Sequence, residues 1–119
     1  MSKAHGYPRS LRLHLKREFD RVFQKGTKVV GPEALVWHLR RGDGDSVRLS
    51  VVISAKLGTA VRRNRLKRLV RETFRLSRAH LAAGVDVVVY PRPGLCRWKG
   101  LAEAQRSLEQ LWRKAGLWV

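Results

Sequence analysis

Residues 60–75 read AVRRNRLKRLVRETFR, and the way this stretch folds decides how the rest of the chain is arranged. On a helix turning about 100° per residue, Leu66, Leu69, Val70, Thr73, Ser77 and Leu81 gather on one side, with Phe74 at its edge. Lys67, Arg68, Arg71, Arg75 and Arg78 gather on the opposite side, with Glu72 beside them. One side is a core face and the other a ridge of cations. The spacing predicts a helix that continues to about Leu81, ahead of Gly84. Asn64, near its start, is of a type that caps helices.

Strand-like segments flank this helix. In Val47–Ser54 (VRLSVVIS), Val47, Leu49, Val51 and Ile53 alternate with Arg48, Ser50, Val52 and Ser54, the period-two pattern of a strand. Val85–Tyr90 (VDVVVY) is a short apolar strand expected to be buried on both faces. Ala34–Arg40 (ALVWHLR) is a further strand, and the GDGD run at 42–45 signals a hairpin to the next one. Leu15, Phe19, Val22 and Phe23 keep helical spacing up to Gly26. Leu101, Ala104, Leu108, Leu111, Trp112 and Ala115 do so in a last helix. The expected order is α-β-β-α-β-α, a two-layer α+β sandwich with a β-α-β unit around the basic helix. Residues 1–9 read as a flexible basic arm and residues 10–119 as one domain.

Charge narrows the function. The chain of 119 residues carries 26 Lys and Arg against nine acids, a net charge of +17. The excess runs from Lys3 to Lys114 rather than sitting in a tail, so a folded body is wrapped in positive potential and a polyanion is the expected partner. Like charges at i,i+4, such as Lys67, Arg71 and Arg75, cost a helix a few tenths of a kcal/mol per pair. Arginines in the first turn also oppose the helix dipole. A bound phosphate backbone relieves both, and the arginine fork suits bidentate phosphate contacts.

Other chemistries find little support. His5, His14, His38, His80 and the lone Cys96 lack metal-ligand spacing, which argues against zinc. The acids are scattered, with Asp43 and Asp45 explained by the turn, so no carboxylate cluster for metal-assisted hydrolysis is expected. No stretch approaches about 18 consecutive apolar residues, and the reading is a soluble cytoplasmic protein with no membrane partner. A duplex-DNA reader would need a second helix joined to the basic one by a short turn, where this chain has strands.

The run Arg63-Asn64-Arg65-Leu66-Lys67-Arg68-Leu69-Val70-Arg71-Glu72-Thr73-Phe74-Arg75 resembles the signature of the bacterial ribonuclease P protein subunit family. Ser54-Ala55-Lys56-Leu57-Gly58-Thr59-Ala60-Val61 is similar to that family's lead-in, and Phe19-Asp20-Arg21-Val22-Phe23 with Gly26 to its first helix. The resemblance implies a ribosomal protein S5 domain 2-like fold with a left-handed β-α-β crossover, against the usual right-handed preference. It implies an endonuclease that removes the 5′ leader of precursor tRNA, with Mg2+ held mainly by a catalytic RNA subunit and the substrate. The protein alone would be inactive and would need no obligate protein partner.

The resemblance assigns Arg62, Arg63, Asn64, Arg65, Lys67, Arg68, Arg71 and Arg75 to the catalytic RNA. It assigns Phe19, Phe23, Trp37, Ser54 and Lys56 to the leader, in a cleft between the first helix and the sheet. Periodicity alone would put Phe19, Phe23 and Trp37 in the core; the resemblance turns Phe19 and Trp37 toward base stacking and leaves Phe23 open. Ala55 stands where the family usually carries a basic residue, and Trp37 where it usually carries tyrosine or phenylalanine. Trp98, Trp112 and Trp118 read as structural or peripheral. The competing reading is a structural or assembly RNA-binding protein of ribosomal type.

Overall fold

A computed structural model describes residues 16–42 and 47–119. The expected arm at 1–9, and Asp43 and Asp45 of the turn, lie outside the described residues. The elements are α1 (Lys16–Lys25), β1 (Thr27–Val30), β2 (Ala34–Arg40), β3 (Arg48–Val51), α2 (Ala60–Ser77), β4 (Val85–Pro91) and α3 (Leu101–Lys114). The α+β class stands, with one strand more than expected. That strand, β1, is only four residues long and lies between Gly26 and Gly31. Gly26 lets the chain turn tightly out of α1, since a Cβ there would collide with the carbonyl oxygens of Val22 and His38.

The sheet runs β1-β2-β4-β3. β2 pairs antiparallel with β1 and with β4, and β3 pairs parallel with β4. The expected hairpin between β2 and β3 is therefore wrong. The chain does turn after Arg40, but β4 inserts between the two strands. The GDGD signal is local and reports a reversal, not a partner.

Each face of the sheet has its own cover. Val36 of β2, Leu49 of β3 and Val85, Val87 and Val89 of β4 join Leu66, Val70 and Phe74 of α2 and Leu108, Leu111 and Trp112 of α3 in one large core. Burying each such side chain stabilises the fold by about 1.5–3 kcal/mol. On the opposite face Val88 meets Val22 of α1, with Phe19, Trp37, Leu39 and Val52 packed partly buried around them. The alternation expected for Val47–Ser54 holds, with Val47, Leu49, Val51 and Ile53 on the large core and Val52 on the other face. β4 is buried on both faces, as its composition implied.

Helix α2 starts one turn earlier than a cap at Asn64 would allow. The Thr59 hydroxyl accepts the Arg62 N–H at 3.2 Å and is the cap. Asn64 is exposed inside the helix. The helix ends at Ser77 and passes through a short 3-10 turn, Arg78–His80, so Leu81 lies beyond it and bridges to Trp118 instead. Phe74, expected at the edge of the apolar side, is fully buried.

Candidate nucleic-acid interface

Two surfaces carry the residues singled out from the sequence. The first is the outward side of α2. Asn64, Arg68, Arg71 and Arg75, at spacings of four, three and four, stand exposed opposite the buried Leu66, Val70, Thr73 and Ser77. Arg65 is exposed at the side of this row, its guanidinium donating to the Lys99 carbonyl. Glu72 is the acid on the ridge; the hydrogen bond from Arg75 holds its carboxyl below the usual range, more than offsetting the upward pull of burial. No acid stands in the first turn of α2.

Three expected ridge residues stand elsewhere. Lys67 is half-buried at the border. Arg63 falls three residues before Leu66 and seven before Val70, on the inward side, and its Nε is buried without a partner. The Arg62 guanidinium is turned away and donates to the carbonyls of Leu57 (2.8 Å) and Cys96 (3.3 Å). Helical spacing predicts this sorting once the true start at Ala60 is known.

The second surface lies on the α1 face of the sheet. Phe19 and Phe23, one turn apart on α1, stack with centroids 6.4 Å apart. Phe23 meets Trp37 edge-on at 5.1 Å, and Trp37 meets Tyr90 of β4 at 6.3 Å. Lys28 lies opposite Trp37 on β1, its ammonium 6.0 Å from the ring. Phe23 is 42% exposed and so stands outside the core. Phe19, Trp37 and Tyr90 are half-buried. Tyr90 was not anticipated; its signal was its place in β4 two residues after Val88, which sets it on Trp37's face. Ser54 and Lys56 follow β3, on the far side of β4 from Trp37. The Ser54 hydroxyl accepts the Lys56 N–H at 3.1 Å and caps the short 3-10 turn Ala55–Leu57, leaving Lys56 exposed.

Besides the apolar contact of Val22 with Val88, ion pairs hold α1 over this face. Asp86, fully buried, accepts from Arg48 at 2.8 and 2.9 Å, from Arg41 at 2.7 Å and from Arg21 of α1 at 3.2 Å. Arg48 also donates to Glu18 of α1 at 2.7 Å. Burial alone would raise the Asp86 pKa; hydrogen bonds from Arg48 and then Arg41 outweigh it and hold the carboxyl below its ordinary value. Arg48 is correspondingly raised, chiefly by its hydrogen bond to Asp86. The sequence reading passed over this aspartate as one of the scattered acids. An acid inside VDVVVY was the available clue, because a buried charge must be paired.

The acids are otherwise engaged. Among the described residues Asp20 pairs with Lys16, Glu109 with Arg113, and Glu33 and Glu103 accept backbone N–H groups. No three His, Cys, Asp or Glu of the described residues gather where they could hold a metal. No described helix is long and apolar enough to cross a membrane.

Fold and surface together define a small, strongly basic α+β protein of the kind that works on polyanions. Its relatives say which. A profile of the ribonuclease P family matches residues 7–116. The ribonuclease P protein component of Thioalkalivibrio sulfidiphilus is 44% identical over 115 residues, 96% of this chain and 93% of its own. That of Thermotoga maritima is 42% identical over 89 residues, 75% of each chain. The solved RNase P protein of Staphylococcus aureus superposes with a TM-score of 0.83 at 30% identity, over 92% of this chain and 98% of its own. The Thermotoga maritima RNase P protein gives 0.76 at 36%, over 86% and 96%. The chain belongs to the ribonuclease P protein component family, and so is the protein part of a tRNA-processing ribonucleoprotein whose partner is an RNA subunit.

Proposed function

We propose that the exposed face of α2 binds the catalytic RNA subunit, while the strip Phe19–Phe23–Trp37–Tyr90 holds the 5′ leader of precursor tRNA. The carrying observation is the separation of the two surfaces: guanidinium groups on a helix above one face of the sheet, half-buried rings on the other. Phosphates of folded RNA suit the first, and unpaired bases stacking on aromatic rings suit the second. Arg65, Arg68, Arg71 and Arg75 with Asn64 carry most of the RNA contact, and Lys67 and Arg63 flank it. Ser54 and Lys56 receive the leader where it leaves the rings.

The role in chemistry is positioning. Asp86, the acid best shielded from water, is saturated by three arginines, and Glu18 and Glu72 are paired with cations of their own. These carboxylates are poorly placed to hold the Mg2+ that leader hydrolysis requires, which the reading assigns to the RNA subunit and the substrate. It invokes no obligate protein partner and no membrane, and sets the complex in the cytoplasm.

A cleavage assay on precursor tRNA tests this with three arms: partner RNA alone, protein alone, and both. The protein alone should leave the substrate intact in magnesium, and the combination should cut at the mature 5′ end faster than the RNA alone at low magnesium. Cleavage by RNA-free protein, or no gain on combining the two, overturns the proposal.

A further inference from the structure

Beside the α2 ridge and reaching Lys56, the loop after β3, the first turn of α2 and the loop ahead of α3 enclose an open pocket of about 440 Å³. Lys56, Arg62 and Arg97 contribute its charge, and Gly58, Gly94 and Cys96 much of its backbone wall. No acid lines it. The nearby Glu33 carboxylate is committed to the backbone N–H of Arg97 at 3.0 Å, not to its guanidinium. Arg62 is fixed against the wall by two carbonyls, Leu57 O and Cys96 O, which hold its head in place without neutralising it. The loop is shaped around that side chain. Gly58 has φ +117°, and a Cβ there would lie 2.9 Å from Arg62 Cδ. Gly94 has φ +78° in the facing loop.

A fixed cation and two further cations, with no acid among the described lining residues, make a site suited to an anion. We infer that this pocket takes a backbone phosphate of bound RNA, with Arg62 as its fixed contact and Lys56 and Arg97 closing over it. The volume lies within the usual range for a small-ligand site, about 300–1,000 Å³, and admits a phosphate with its attached ribose. The inference rests on the reading of the chain as an RNA binder and adds Arg97 and its loop to the contact surface. Arg62 then acts beside the α2 ridge, in a pocket of its own. The phosphate comes either from the RNA subunit or from the substrate.

Arg97→Gln in the full-length protein tests it, because Arg97 is exposed and its side chain leaves no carbonyl orphaned when shortened. Its melting temperature is the control and should match the wild type. Dissociation constants are measured across a salt series for the RNA subunit, and for the holoenzyme with precursor and with mature tRNA. Loss of one phosphate contact should weaken one of these interactions severalfold and make its log K against log salt slope shallower by about 0.7–0.9. A change confined to the RNA subunit assigns the phosphate to it; a change with precursor tRNA alone assigns it to the leader. A second measurement follows the backbone amides of Gly58 and Gly94 as the free protein is titrated with inorganic phosphate. Shifts present in the wild type and lost in Arg97→Gln are expected. Unchanged affinities and slopes in all three binding series, or amides that ignore phosphate, overturn the inference. The cleavage assay above would remain positive in that case, so the two failures are distinct.

Discussion

The two faces of the sheet are built on different principles. The face toward α2 and α3 is closed by apolar packing: Phe74, Leu108 and Trp112 are at most 1% exposed. The face toward α1 holds a small apolar patch around Val22 and Val88 and is otherwise secured by Asp86 and its arginines. On this face the rings along β2 and β4, Trp37 and Tyr90, remain half in water. Ion pairs fix the position and orientation of α1 without demanding that it bury everything beneath it. The closed face supplies stability, and the open face leaves aromatic surface uncovered.

The largest effect should come from the closed face. Trp112→Ala leaves a cavity among residues with no route to solvent and should cost about 3–5 kcal/mol, read as a shift of the urea unfolding midpoint. A loss below about 1 kcal/mol would mean that this core is not the main source of stability. Asp86→Asn comes next. Removing one partner of a buried ion network strands the others, which typically costs about 3–5 kcal/mol; Arg21 and Arg48 partly reach water, so about 2–3 kcal/mol is expected.

Acid should reproduce part of that loss. The folded Asp86 carboxyl titrates below its ordinary value, so its contribution is complete above about pH 4 and disappears as pH falls through the lower folded value. His38, lowered by burial and by Arg40, binds its proton less readily when folded and gives a separate decline that begins nearer pH 6.5. Melting curves across pH should therefore show the His38 decline and an acidic one to which Asp86 and Glu72 both contribute, and Asp86→Asn should shrink the acidic one alone. A single transition, identical in the mutant, would remove Asp86 from the account.

Trp37→Ala should be the mildest for the fold and the most selective for function. Its half-buried ring is worth about 1–2 kcal/mol to stability. Each stacked base contributes about 1–3 kcal/mol, so precursor tRNA affinity should fall severalfold to a hundredfold while affinity for mature tRNA holds. Equal loss of both affinities, together with an early melt, would reassign Trp37 to the core and make the two faces alike.

What was legible in the sequence was whatever depends on neighbours along the chain. The α2 stripe, the alternation of VRLSVVIS and the buried VDVVVY all follow from local periodicity. So did the pairing of Phe19 with Phe23 on one side of α1. The misses concern partners far away in sequence. Nothing local says that β4, and not β3, lies beside β2, or that Arg21, Arg41 and Arg48 converge on Asp86. Nor could residue type choose between Thr59 and Asn64 as the α2 cap, since both can do it. β1 escaped because four residues between two glycines are too few to show a period. On α2, spacing sorted the exposed side from Arg68 onward, while the resemblance grouped with it Arg62, which is tied to the carbonyls of Leu57 and Cys96, and Arg63, which turns inward.

The position of β4 has a consequence for how the chain comes off the ribosome. Among the described residues β4 is the sole strand neighbour of β3 and one of two neighbours of β2. Until residue 91 has emerged, β3 has no ladder to join and β2 has only β1, so the sheet exists as disconnected parts. Nor can the Asp86 cluster form earlier, because its acid arrives on that same strand. Synthesis therefore holds back both faces until one seven-residue segment is made, and a ribosome that stalls before it leaves strands with open edges, the state most prone to aggregation.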